Sequence, residues 1–350
     1  MKKTAVVLLN LGGPSSLDEV TKFLFNLFKD KAIINLPNPL RWMIAKIISS
    51  TRSSKTKNIY RRIGGKSPLL ELTNLQAHAL EKSLNISQAK VEFKVFVSMR
   101  YCYPLSSETV TKIKIFGADE ILLLPLYPQF STTTTKSSID DFRKSLEGIP
   151  IKAVCCYYND SSFIKAHLEK IKSLYKKVKN KHRKFRILFS AHGLPKSIVN
   201  KGDPYQWQID QTVNLIMKDL DIEYKVCYQS KVGPMKWLEP NTKSEIQRAS
   251  EEDYAVIIVP IAFVSEHSET LYELDIEYQE LANNIGLTGY YRVKALGIDK
   301  LFIESLVKLS MKLAGLKACN KDLIVSNNIN RVCPERFCGC INDYREKLRC

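Results

Sequence analysis

Apolar residues in this chain gather into short, nearly unbroken runs separated by longer stretches with helical spacing. The first group of runs is AVVLLNL (5–11), FKVFVSM (93–99), EILLLPLY (120–127) and IKAVCCYY (151–158). The second is FRILFSA (185–191), YKVCYQS (224–230), AVIIVPIAFV (255–264) and YYRVKAL (290–296). Runs that are apolar on both faces, with amphipathic segments between them, predict parallel sheets covered by helices. Four runs and four more predict two similar α/β units, residues 1–158 and 159–318, with a helix near 160–178 crossing between them. Polar SNNINR and a crowd of cysteines follow, so 319–350 reads as a tail packed back on the body.

Two segments break the pattern. VSEHSETLYELDIEY (264–278) follows an apolar run and sets Glu269, Glu273 and Glu277 at steps of four. On an α-helix that spacing makes one acidic stripe, opposite a core face of Leu271, Leu274, Tyr278 and Leu281. Like charges so placed repel by a few tenths of a kcal/mol per pair, so the ladder needs a reason. Between residues 20 and 50, Phe23, Leu24, Phe25, Leu27, Phe28, Trp42, Met43 and Ile44 are dense and interrupted by prolines. They fit core-facing helices, or an apolar lip flanked by lysines that meets a membrane or a flat greasy ligand.

Composition narrows the class. With 350 residues, 45% of them apolar and 25% charged, the chain suits two ordinary globular domains. The longest apolar run, YAVIIVPIAFV (254–264), is about half of the length a spanning helix needs. The amino terminus has two lysines and a short apolar run, as a signal peptide does. No small-residue cleavage site follows, and Gly12-Gly13-Pro14 ends the run as it would end a strand, so no export is expected. The net charge of +17, from 53 basic and 36 acidic residues, favours an anionic partner. No zinc finger, arginine-rich arm or aromatic-laced basic motif points to nucleic acid. Part of the lysine excess lies on solvated faces such as KKVKNKHRK (176–184), and the rest fits a peripheral contact with anionic lipid. Of nine cysteines, Cys102, Cys155, Cys156, Cys227 and Cys319 are scattered, while Cys333, Cys338, Cys340 and Cys350 crowd the tail. Without export, such crowding suggests a metal or cluster rather than disulfides.

Familiar phosphate-binding and hydrolase motifs are missing. Gly12-Gly13 lacks the dinucleotide glycine pattern, and Gly65-Lys66-Ser67 has Tyr60 where a Walker loop needs its first glycine. His78, His167 and His182 sit in helical or lysine-rich surroundings and read as packing or surface residues. His192 differs, because it stands just past a predicted strand in FRILFSAHGLP. Ligands of open α/β sheets bind outside the carboxyl ends of strands, and His267 and Glu269 lie at the same edge. A histidine nitrogen beside a carboxylate can bind ferrous iron or take protons; the alternative is a structural hydrogen bond. Arg61, Arg62, Arg100, Tyr101, Tyr127, Met235 and Trp237 end strands or occupy loops, where flat contacts and bidentate arginines suit one large planar acid.

Together these residues resemble the ferrochelatase family, which puts ferrous iron into protoporphyrin at the end of haem synthesis. The resemblance runs from LNLGGP through YRRIGGKSPL, RYCYP, LYPQFSTTTTKSS, SAHGLPKSIVNKGDPY and YQSKVGPMKWLEP to SEHSETLYELDIEY. It implies the chelatase fold of two Rossmann-like halves, each a four-stranded parallel sheet, with the cleft between them. It implies His192 as proton acceptor or metal ligand, Glu269 as its partner acid, and Glu273, Asp275 and Glu277 as a path for iron or protons. Arg100, Tyr101, Tyr127, Trp237 and His267 match pocket positions, and Leu11 falls where some relatives carry methionine. The implied substrates are protoporphyrin IX and Fe2+, with coproporphyrin metallation or a non-catalytic porphyrin or iron carrier as alternatives. The implied setting is the cytoplasmic face of the inner membrane, near the preceding enzyme of the haem pathway. The tail resembles the bacterial arrangement of a 2Fe-2S cluster, with Cys333, Cys338 and Cys340 as ligands and Thr132 where animal relatives carry a cysteine. Cys155 or Cys156 is the expected fourth ligand, and only one of the two, since neighbouring strand residues face opposite ways, with Cys319, Cys350 or zinc binding as alternatives.

Overall fold

The computed structural model describes residues 1–87, 90–146, 149–316 and 322–342. Among these residues nine strands form two wholly parallel sheets. The first contains β1 (Lys2–Asn10), β2 (Val91–Met99), β3 (Glu120–Pro125) and β4 (Ile151–Cys156), and the second contains β5 (Phe185–His192), β6 (Glu223–Gln229), β7 (Ala255–Pro260) and β8 (Tyr290–Arg292). Their orders are β2-β1-β3-β4 and β6-β5-β7-β8. Each expected run is a strand, and β1, β3, β4 and β7 are buried over nearly all their length, as sheets with two covered faces require.

The first sheet has a fifth strand that the apolar runs did not announce. β9 (Leu323–Ser326) returns from beyond the second unit to pair in parallel with β4. The helix before it, Lys300–Gly315, also packs on the first unit: Phe302, Leu306 and Leu309 meet Leu80, Leu84 and Leu122 in one core. Chain order and packing therefore disagree at the C-terminal end, because two four-stranded units leave β4 an open edge that β9 covers.

The second sheet is buried on both faces. Ile187, Phe189, Ile257 and Val259 pack against Ile209, Val213 and Ile216 of helix Tyr205–Met217. On its other face Leu188, Cys227 and Ile258 receive Leu274 and Tyr278. Those two side chains come from the acidic segment and are 0% and 1% exposed, worth about 2–3 kcal/mol each in burial. Glu269–Glu277 is a π-helix rather than the α-helix its spacing suggests, a form often found at functional sites.

α1 (Val20–Lys29) and α2 (Asn38–Arg62) form a hairpin over the first unit. Val20, Phe23 and Leu24 turn inward with Tyr60 and Tyr101, whereas Leu40, Trp42, Met43 and Ile47 remain exposed. The segment is therefore core on one side and lip on the other. The α1–α2 hairpin reaches the second unit through α2, whose Arg62 lies over the Tyr272 ring of the π-helix, 5.5 Å from its centre. Gln76 adds a second link, donating to the backbone oxygens of Val264 (3.3 Å) and Gly297 (3.0 Å).

Candidate active site

His192 ends β5, directly opposite Gln229 of β6. The chain turns at Gly193, whose N–H donates to the Gln229 carbonyl at 2.9 Å. A Cβ there would lie 2.9 Å from that same oxygen and 3.2 Å from the Trp237 ring, so glycine is required by close approach. Residues 194–196 then pair with 236–238, with Leu238 donating to Leu194 and Lys196 to Lys236, which pins Trp237 beside the histidine turn. From β7 the chain descends through His267 to Glu269, and the two strand ends converge. His192 Nδ1 lies 2.8 Å from Glu269 Oε2, and His267 Nε2 lies 3.9 Å from the same oxygen.

Charge follows from this geometry. Burial opposes protonation of His192, but the Glu269 carboxylate and Glu273 behind it together outweigh that and hold the imidazole above its ordinary pKa. Burial would raise Glu269, yet the two histidines and Ser230 bring it down to about 2. His267 moves the other way, kept down mainly by burial, and packs on Phe263 with ring centres 4.6 Å apart. The His192 side chain still leaves 38% of its surface open. A basic imidazole backed by an ionised carboxylate and reachable from the cleft can accept a proton or offer a nitrogen to a metal.

The rest of the acidic ladder is occupied. Glu273 accepts from Gln229 Nε2 (3.0 Å), the Ser230 N–H (2.9 Å), the Tyr278 hydroxyl (2.7 Å) and the Ser230 hydroxyl. Glu277 pairs with Lys243. Asp275 pairs with Arg292, which also holds both oxygens of Glu266 at 3.0 Å.

Other expected pocket residues divide. Arg62 reaches Glu280 and lies over the Tyr272 ring, tying α2 to the π-helix. Among the described residues Arg61 bonds only to its neighbour Asn58, and Met235 is exposed. Leu11 accepts the Tyr101 N–H at 3.1 Å and lines the α1 side with it. Arg100 and Tyr101 are not free: Asp30 takes the guanidinium at 2.8 Å and the phenol at 2.7 Å, and Asp141 takes Arg100 at 3.2 Å. Tyr127 approaches Ser138 at 3.4 Å. His167 and His182 serve packing, against Phe163 and Tyr291. Sequence reasoning passed over Tyr60, Asp30, Gln229 and Ser230. Only Ser230 carries a marked local feature, a left-handed φ of 63°, and that is a backbone property.

The ferrochelatase family model matches residues 3–313. Ferrochelatases of Rickettsia bellii and Rickettsia prowazekii are 51% and 50% identical over 345 residues, covering 97% of this chain and 95% and 98% of theirs. The chain belongs to the ferrochelatase family. As a ferrochelatase it is a porphyrin metal chelatase, a lyase whose metal substrate is ferrous iron. The fold agrees: SirB from Bacillus subtilis, solved with Fe3+, superimposes with a TM-score of 0.50 at 13% identity over 90% of this chain and 96% of its own. CbiX, a siroheme-pathway enzyme of denitrifying bacteria, gives 0.50 at 12% identity over 89% and 100%.

This ferrochelatase also gathers thiols where β4 ends. The β4–β9 register slips between Val154 and Cys156, and the bulge puts Cys155 and Cys156 on one side, with sulfurs 3.6 Å apart. Strict strand alternation, which would admit only one of them, is thus broken. Cys340 adjoins Cys155 and Cys333 adjoins Cys156, and Gln208 Nε2 donates to the Cys333 sulfur at 3.0 Å. Cys338 is elsewhere: its exposed thiol faces the Lys201 carbonyl at 3.4 Å, above Gly202. Cys319 and Cys350 lie outside the described residues. Among the described residues no group of three or more His, Cys, Asp or Glu side chains is arranged to hold a metal ion.

Proposed function

We propose that this ferrochelatase inserts Fe2+ into protoporphyrin IX, with His192 as the proton acceptor and Glu269 as its partner. The observation that carries this is the 2.8 Å contact between Nδ1 of His192 and Glu269. A carboxylate there favours the tautomer with hydrogen on Nδ1 and leaves the Nε2 lone pair for substrate. A pyrrole N–H can then pass its proton to Nε2 while the ionised Glu269 stabilises the imidazolium that forms. Trp237, half-buried beside the histidine turn, offers flat apolar surface to a macrocycle. Replacing His192 with alanine should abolish insertion while porphyrin fluorescence still reports binding. Near-normal turnover of that variant would refute the assignment.

Choice of porphyrin follows from the lip. Trp42, Met43 and Ile47 are 48%, 52% and 57% exposed, with Arg41 and Lys46 among them. Such a surface favours protoporphyrin, with two carboxylates, over the more acidic coproporphyrin. It also favours peripheral docking on the anionic cytoplasmic face of a membrane, where the preceding enzyme of the pathway could hand over product. No described helix is long and apolar enough to cross a bilayer. Parallel assays with the two porphyrins test the substrate: equal or better metallation of coproporphyrin would overturn it.

The thiols fit a 2Fe-2S cluster better than a single ion. The four thiols adjoin in a ring, Cys155 to Cys156, Cys156 to Cys333, Cys333 to Cys340 and Cys340 to Cys155, no three of them are arranged around one ion, and a binuclear cluster takes two thiolates per iron. Cys155, Cys156, Cys333 and Cys340 would hold it, with the Gln208 amide donating to one sulfur, and Cys338 would not. When bound, such a cluster supplies a one-electron redox centre.

A further inference from the structure

The structure assigns Glu273 a positioning role: its carboxylate braces the end of β6 against the π-helix and so sets the His192–Glu269 pair, rather than carrying iron. This rests on the reading of His192 and Glu269 as the reacting pair. A carboxylate has about four acceptor sites, and Glu273 has four donors on it, from Gln229, Tyr278 and both the backbone and hydroxyl of Ser230. A cation in transit would have to displace them, leaving several polar groups unpaired in a half-buried site.

Those donors lead straight to the catalytic pair. Gln229 Nε2 bonds Glu273 and, at 2.9 Å, the backbone oxygen of Glu269. Its Oε1 accepts from Ser190 Oγ at 2.7 Å on β5, two residues before His192, and its carbonyl holds Gly193 at 2.9 Å. Gln229 thus holds Glu269 by its backbone oxygen and His192 through its neighbours Ser190 and Gly193, and Glu273 fixes the amide of Gln229. Ser230 follows in the left-handed conformation, φ 63°, which a serine adopts only under constraint. Its N–H bond to Glu273 supplies that constraint. On the far side Tyr278 is buried against the sheet, so the brace has a rigid anchor.

Two variants separate bracing from conduction. Glu273→Asp keeps the charge but shortens the reach, and Tyr278→Phe keeps the whole carboxylate but removes one donor. Initial rates over a range of Fe2+ concentrations, with wild-type protein alongside, give kcat and KM separately. Bracing predicts that kcat falls about tenfold or more in Glu273→Asp and severalfold in Tyr278→Phe, with the KM for Fe2+ within about twofold of wild type. A raised iron KM with kcat recovered at saturation would overturn it, as would wild-type kinetics in Glu273→Asp. Should Glu273→Asp not fold, Tyr278→Phe decides alone: unchanged kcat refutes the brace. Retained turnover in His192→Ala, by contrast, sinks the pair and leaves the Glu273 hydrogen bonds as they are.

Discussion

Converting Glu269 to glutamine removes a charge and keeps a hydrogen-bond partner for His192. Across 2.8 Å between ring nitrogen and oxygen, charges about 4 Å apart attract by roughly 1–4 kcal/mol, depending on how much water screens them. His192 leaves 38% of its side chain open, so the low end applies, about 1–1.5 kcal/mol. The sign is fixed. The carboxylate favours imidazolium, so the wild-type histidine titrates above its ordinary value; with His192 as the proposed proton acceptor, turnover needs the neutral ring and should rise with pH through that raised pKa. Without the charge, only Glu273 still opposes burial at the ring, so the acid limb should move lower while kcat falls about tenfold. The assay is porphyrin metallation by loss of metal-free fluorescence from pH 5.5 to 9, on a porphyrin soluble throughout. Where turnover is too low, NMR titration of ring-labelled histidine reads the same shift. An acid limb that stays put or moves upward would refute the electrostatic coupling.

Three further outcomes follow from the tail and the lip. Anaerobically purified wild-type protein should show visible bands with matching iron and acid-labile sulfide; Cys338→Ser should keep them, and Cys155→Ser or Cys156→Ser should each lose them. A colourless wild type removes the cluster, whereas bands lost in Cys338→Ser remove only this ligand set. Gly202→Ala forces a Cβ to within 2.5 Å of the Cys338 sulfur at a φ of +91°, and should cost about 1–3 kcal/mol in thermal unfolding and expose the tail to protease; a wild-type melting curve would contradict it. Trp42→Glu with Met43→Glu should weaken binding to phosphatidylglycerol vesicles at least about tenfold, and undiminished flotation would show that the lip is not the contact.

What the chain spells out and what it conceals have separate physical causes. Strands buried on both faces leave unbroken apolar runs, so β1, β3, β4 and β7 were legible, and the ends of β5 and β7 located His192 and Glu269 without any contact information. β9 was hidden because four residues are too few to carry a period, and because its pairing with β4 joins positions about 170 residues apart. The same pairing makes the bulge that turns Cys155 and Cys156 together, which nothing within IKAVCC reveals. Arg100 and Tyr101 read as ligand contacts because their partner, Asp30, stands 70 residues earlier. Counting residue types at strand ends finds the groups able to do chemistry; it does not find which of them another side chain has already taken.

The acidic steps of four show how far that distinction reaches. From spacing alone, three like charges on one stripe look like a liability that only a cation could justify. In the folded chain each has its own donors: His192 for Glu269, four hydrogen bonds for Glu273, Lys243 for Glu277. Mutual repulsion of a few tenths of a kcal/mol per pair is small beside hydrogen bonds to charged groups worth about 1.5–3 kcal/mol each. The ladder therefore needs no metal to be stable. Of its carboxylates, Glu269 is the one that joins the accessible imidazole, so sensitivity to charge alone should belong to that position, and sensitivity to geometry at constant charge should belong to Glu273.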